Sequence, residues 1–224
     1  MLTQLLLKCG SGFFVEFGAR NGIDHSNTLF FERQLGWTGL LFEVDPNELT
    51  QLRANRPKAT VYDGAVCPSS QIELSFGISK IPGWSGSATS YEPSRNQSTA
   101  RVVSVKCYHL AAELRRANVR VVDYMTIDTE GSEPEIVEDF PWSQFEVSIV
   151  QIEQLDERGF PAQRGKKDRV VRHMTSQGYD FYRAYEVAVR DTEDLIFVLR
   201  RHAPPRGLLH HVLNGSHGTR ARPG

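Results

Sequence analysis

Residues 13–46 read FFVEFGARNGIDHSNTLFFERQLGWTGLLFEVDP, and the rest of the chain is read outward from them. A short apolar run, Phe13–Phe17, carries one acid, Glu16, and ends in Gly18-Ala19-Arg20-Asn21-Gly22. A helical pattern follows, then a second apolar run, Gly39–Phe42, closed by Glu43-Val44-Asp45-Pro46. Strand, glycine turn, helix and strand within such a length make a βαβ unit.

Gly18 permits a tight turn off the first strand, and Gly22 lets backbone or ligand pass where a Cβ would clash. The N–H groups of the helix start then face whatever lies over the strand ends. Glu43 stands at the tip of the second strand. A carboxylate there can accept both hydroxyls of a ribose, each charge-assisted bond contributing about 1.5–3 kcal/mol. A dinucleotide fold requires G-x-G-x-x-G, whereas Arg20 here replaces the middle glycine and Glu16 precedes the loop. An acid so near would repel a pyrophosphate and suit a cationic amino-acid moiety. The pattern Glu16-x-Gly18-x-x-x-Gly22, with Glu43 beyond it, therefore favours S-adenosylmethionine over NAD. The plainer alternative is any α/β domain with a glycine-rich first turn.

The chain has 224 residues, 40% of them hydrophobic, enough for one domain with a sizeable core. A net charge of −1 gives no bulk attraction to nucleic acid or an anionic membrane. Cys9, Cys67 and Cys107 are odd in number and lack C-x-x-C spacing, so they read as buried or incidental thiols. Met1–Leu7 is too short to cross a bilayer and has no basic flank, and residues 1–12 read as the end of a packing helix. With no membrane segment the expected compartment is cytoplasmic, unless a longer parent chain is anchored or secreted. Two N-x-S sequons, at Asn96 and Asn214, would matter only in a secretory setting.

Further along, Asp24–Leu35 has helical spacing with Leu29, Phe30 and Leu35 inward and Asp24 or Ser26 as N-cap. Asn47–Asn55 reads as a second helix, and Ala59–Tyr62 as a third strand ending in Asp63-Gly64-Ala65-Val66. Asp63 is placed to accept from an adenine amino group, or is simply a turn residue before glycine. Gln71–Phe76 and Arg101–Lys106 alternate as strands, with Leu110–Arg116 a helix. Between them residues 81–99, rich in Gly, Ser, Pro and Asn, form a loop or lid carrying Trp84 and Tyr91. Val121–Ile127 is a buried strand leading into Asp128-Thr129-Glu130-Gly131-Ser132-Glu133-Pro134. Val147–Ile152 is another strand ending in Glu153, Lys166–Gln177 a helix, and Tyr179–Tyr185 with Asp194–Leu199 a strand pair. The domain spans residues 13–201, with a flexible tail from 202. The pattern predicts an α/β fold with a mainly parallel sheet and an antiparallel edge.

Two blocks, residues 14–46 and VDYMTIDTEGSEPEIV at 122–137, resemble the FkbM family of S-adenosylmethionine-dependent methyltransferases. The resemblance runs from about Phe13 to Leu199. It implies a class I, Rossmann-like seven-stranded sheet with helices on both faces, and methyl transfer, usually to a hydroxyl oxygen. It also implies that Glu16, Gly18 and Gly22 line the methionine part of the cofactor, and that Ala19, Asn21 and Asn27 of the same block are cofactor-binding too. Glu43 would then hold the ribose, Asp63 and Ala65 flank the adenine, and Asp128 stand at the cofactor–substrate junction. Arg20 stands where a small or acidic residue is commoner in the family.

Methyl transfer to an alcohol is an in-line displacement that also needs a proton acceptor. Asp128 is the first candidate base, Glu130 the second and His25 the third. Asp128, Glu130, Glu133 and Glu153 could instead hold a divalent metal, a reading not favoured here because acids also cap helix N-termini. The expected partner is a small-molecule or glycan acceptor. A binding or trafficking module that keeps the fold without turnover is the alternative from another class, and an NAD-dependent oxidoreductase is disfavoured by the first loop.

Overall fold

In a computed structural model, residues 11–79, 86–87, 99–129, 131–155, 157, 161–187 and 192–202 are described. Strand and helix alternate through β1 (Phe13–Phe17), α1 (Leu29–Leu35), β2 (Thr38–Glu43), α2 (Pro46–Asn55) and β3 (Ala59–Asp63). Four further strands intervene: β4 (Ala65–Val66), β5 (Glu73–Ser79), β6 (Gly86–Ser87) and β7 (Thr99–Tyr108). Alternation resumes with α3 (Leu110–Arg116), β8 (Val121–Ile127), α4 (Glu133–Asp139), β9 (Glu146–Leu155) and α5 (Lys166–Ser176). The strands β10 (Tyr179–Val187) and β11 (Thr192–Leu199) close the fold.

Seven strands form one sheet in the order β10-β11-β9-β8-β1-β2-β3. β1, β2, β3, β8 and β9 pair in parallel, and β11 runs antiparallel to both β9 and β10. The reversed strand thus sits one place in from the edge. Helices cover both faces, which is why the central strands read as continuous apolar runs. Val15, Phe17, Met125, Ile127, Val150 and Ile152 pack on one face with Leu114 of α3, Val137 of α4 and Met174 of α5. Phe14, Leu41, Tyr124, Ile149 and Ile196 pack on the other with Phe31 of α1 and Leu52 of α2.

The first helix begins at Leu29, not Asp24, because Glu16 captures the backbone N–H of Asn27 and the hydroxyls of Ser26 and Thr28. The later start rotates the apolar face. Phe31 is buried and stacks on Trp37 at 4.8 Å, while Phe30, expected inward, is 46% exposed. The strands β4, β7, β5 and β6 make a second, four-stranded sheet. Gly86-Ser87, within the expected loop or lid, pairs with β5. Trp84, Tyr91, both sequons, Cys9, Met1–Leu7 and residues 203–224 lie outside the described residues. His202 is described, in a short 3-10 turn, with its Nε2 2.8 Å from Glu146.

The expectation of free thiols is overturned at two positions. Cys67 and Cys107 form a disulfide, with S–S 2.00 Å and Cα–Cα 5.4 Å. Parallel pairing of β4 with β7, Ala65 opposite Cys107, delivers the two residues to each other across 40 positions of sequence. A sheet register, rather than any local cysteine motif, made this pair.

Candidate active site

A cleft, open at its mouth, lies over the carboxyl ends of β1, β2 and β8. Ligands bind at this end in open α/β sheets. Phe17 and Gly18 supply one side, Glu43, Val44 and Asp45 the next, and Asp128, Thr129 and Ser132 the third. The second sheet adds a wall of Gly64, Ala65, Val66, Leu74 and Phe76. At Gly18, with φ 73°, an added Cβ would lie 2.6 Å from the carbonyl oxygen of Asp128. Only glycine lets the ends of β1 and β8 approach so closely.

Glu43 is 6% exposed. Its Oε1 accepts from the N–H groups of Val44 (2.8 Å) and Asp45 (2.7 Å), and its Oε2 from that of Arg20 (2.6 Å). Burial pushes its carboxyl up, against the lowering effect of those three backbone donors. A carboxylate offers about four lone-pair sites, so the fixed carboxylate keeps room for one further donor rather than the two expected. Asp45, unremarked in the sequence beyond its place in the turn, lines the same cleft. Its Oδ1 accepts from Asn47 as the N-cap of α2, leaving Oδ2 outside those bonds.

Glu16 does not line the cleft. It is 1% exposed and holds the loop 26–28 from beneath, sharing that task with Arg56, the largest surprise of the site. The Arg56 guanidinium is fully buried. Nε donates to Glu32 (2.7 Å), Nη1 to Ser26 (2.8 Å) and the Gly22 carbonyl (3.3 Å), and Nη2 to Thr28 (2.8 Å). Nη1 also stands 3.5 Å from Glu16. Burial pushes Glu16 up, with the Thr28 hydroxyl and the Arg56 charge opposing. Gly22 serves this arginine rather than a ligand: a Cβ there would lie 2.5 Å from Arg56 Cγ. A fully buried arginine between two glutamates carries no local sequence signature.

The other candidates separate clearly. Gly18, Glu43, Ala65, Asp128 and His25 line the cleft, His25 from a left-handed loop position with φ 62°. Ala19, Asn21, Gly22 and Asn27 build its supporting loop and do not line it. Asn21 closes an Asx turn onto Ile23 and Asp24, and Asn27 donates to Thr126. The Asp63 carboxylate accepts from the Tyr108 hydroxyl at 2.9 Å, lies 3.7 Å from Arg53 and is not among the lining residues. Glu130 lies outside the described residues. Glu133 holds the turn ahead of α4: its Oε1 accepts from the N–H and hydroxyl of Thr129 and the N–H of Gly131. Among the described residues no three His, Cys, Asp or Glu converge on a metal position.

Asp194, outside the cleft, is perturbed as well. Burial and the neighbouring charge of Glu153 push Asp194 up to about 6, above the ordinary carboxylate value near 3.9. The folded state therefore binds this proton more tightly. The stability it contributes is complete below about pH 4 and is lost as pH rises through about 6. Asp194→Asn is expected to stabilise the protein by about 1–2 kcal/mol at pH 7.5 and hardly at all at pH 4. Urea melts at the two pH values check this, and equal effects at both would refute it.

The strand order, with the antiparallel strand inserted beside the edge and the cleft over β1, β2 and β8, is that of a class I, Rossmann-like methyltransferase. The human methyltransferase 10 domain-containing protein has the same fold, with TM-score 0.50 and 10% identity over 89% of this chain and 78% of that one. Fibrillarin from Aeropyrum pernix, crystallised with natively bound S-adenosyl-L-methionine, superposes with TM-score 0.49 at 12% identity, over 84% of this chain and 66% of its own. No curated protein matches the sequence. The profile of the Methyltransferase FkbM domain matches residues 16–181. The chain belongs to this FkbM methyltransferase family. Among the described residues no helix is long and apolar enough to cross a membrane.

Proposed function

We propose that the cleft binds S-adenosylmethionine and that the protein transfers its methyl group to a hydroxyl oxygen of a small molecule or glycan. The observation that carries this reading is the Glu43 carboxylate, fixed by three backbone donors at the end of β2 with one acceptor position left. Glu43 takes one ribose hydroxyl and Asp45 the other. Val66, Leu74 and Phe76 give the adenine an apolar wall. When bound, the cofactor supplies an electrophilic methyl on a sulfonium. Asp128, which follows β8 on the other side of β1 from Glu43, orients the acceptor hydroxyl and takes its proton as the oxygen–methyl bond forms, typically worth 10²–10⁴-fold. His25 is the second proton acceptor within the same lining.

Calorimetric titration with S-adenosylmethionine and S-adenosylhomocysteine tests the pocket. Glu43→Ala is expected to weaken both by at least tenfold, about 1.4 kcal/mol. Folded wild-type protein that binds neither would sink the reading. The disulfide supports an oxidising compartment in place of the expected cytoplasmic one, since such bonds persist where thiols are not kept reduced.

A further inference from the structure

Arg20 lines the cleft, and its cation has nothing to pair with there. The side chain is half-buried. Its Nε is shielded from solvent without a hydrogen-bond partner, and among the described residues no carboxylate forms an ion pair with the guanidinium. The backbone at Arg20 is left-handed, with φ 49°, a conformation that disfavours a residue with a long side chain. Strain of this kind collects where ligands are held. Four carboxyl-bearing residues, Glu43, Asp45, Glu48 and Asp128, line the same cleft.

The backbone donors of the glycine loop are already taken by the protein. Gly18 and Ala19 donate to the Phe42 carbonyl at 3.0 and 3.1 Å, and Gly22 to the Ala19 carbonyl at 2.9 Å. Ile23 and Asp24 both donate to Asn21 Oδ1 at 2.9 Å. At the start of α1 the N–H of Asn27 goes to Glu16, and those of Thr28 and Leu29 go to the Ser26 hydroxyl oxygen. Loops of this shape often cradle an anion with their N–H groups, but these groups are spent. The Arg20 guanidinium supplies unspent donors in their place.

S-adenosylmethionine carries a sulfonium, an ammonium and one α-carboxylate. The acids of the cleft attract the two cations and repel the carboxylate. We infer that Arg20 binds this α-carboxylate, the planar fork of its guanidinium meeting the two oxygens. The inference rests on the cofactor reading above and adds the group that selects the amino-acid end of the cofactor. The N–H of Arg20 donates to Glu43, the proposed ribose ligand, so its side chain starts on the cofactor's side of the cleft rather than the acceptor's. A small or acidic residue at position 20 would bring no cation, so the contact depends on this chain's own arginine.

Calorimetry on the full chain tests this by comparing S-adenosylhomocysteine with S-adenosyl-3-thiopropylamine, which lacks only the carboxylate. Wild type is expected to bind the first at least about tenfold more tightly, as a charge-assisted contact allows. Arg20→Asn preserves the turn, because asparagine tolerates left-handed backbone. It is expected to weaken S-adenosylhomocysteine about tenfold and to leave the amine within about twofold. Arg20→Lys, which keeps the charge without the fork, is expected to fall between wild type and Arg20→Asn, and it serves if the asparagine variant does not fold. A residue that only shapes the loop would lower both ligands together. Equal weakening of the two, a preference unchanged in Arg20→Asn, or wild type that binds both ligands equally overturns the assignment. Wild type that binds neither overturns the cofactor reading and the assignment with it.

Discussion

Replacing Arg56 by Met is expected to cost about 3–5 kcal/mol of folding stability, the range for removing one partner of a buried ion pair. The variant leaves Glu16 and Glu32 buried without their cation, and the Ser26 and Thr28 hydroxyls without their donor. Methionine fills much of the volume, so the loss is electrostatic rather than a cavity effect. Arg56→Lys recovers little, because an ammonium has three donors and no planar fork to span Glu32, Ser26 and Thr28 together. Urea denaturation of the three proteins measures the effect. A loss below about 1 kcal/mol in the Met variant would mean that the arginine is dispensable. Because this guanidinium holds the Gly22 carbonyl and the 26–28 loop, cofactor affinity is expected to fall together with stability.

The disulfide gives the second large effect. Closing a loop of 40 residues removes denatured-state entropy equivalent to about 4 kcal/mol. For a domain of this size that corresponds to a melting temperature lower by roughly 8–16 °C once the bond is reduced. Cys67 follows Val66 directly, and the closed loop contains Leu74 and Phe76, so the bond also clamps one wall of the cleft. Thermal melts with and without a phosphine reductant, and of Cys67→Ser with Cys107→Ser, measure the change. Oxidised protein whose melting is indifferent to reductant, or three titratable thiols in native protein, would rule the clamp out.

The sheet was legible because its strands are buried on both faces and bounded by glycine, proline and acids. The ends of β1, β2 and β8, and with them Gly18, Glu43 and Asp128, could therefore be placed from local pattern alone. What stayed hidden depended on contacts between distant segments. Glu16 looks in sequence like a ligand-facing acid, yet strand alternation points it to the face where Arg56 waits 40 residues later. Asp63 sits at a strand end as Glu43 does, but the Tyr108 hydroxyl from the second sheet draws its carboxylate aside. Phe31 rather than Phe30 faces inward because Glu16 delays the helix start. Cys67 and Cys107 meet through a strand pairing that no spacing rule contains.

The Cys67–Cys107 bond also determines how the molecule responds to a cut chain. A protease nick anywhere from Pro68 to Lys106 leaves the amino-terminal piece, with β1 to β4, covalently attached to the piece carrying β8 to β11. Such protein would migrate as one band without reductant and as two with it. Its seven-stranded sheet, none of whose strands lies between those cysteines, would remain assembled around the break.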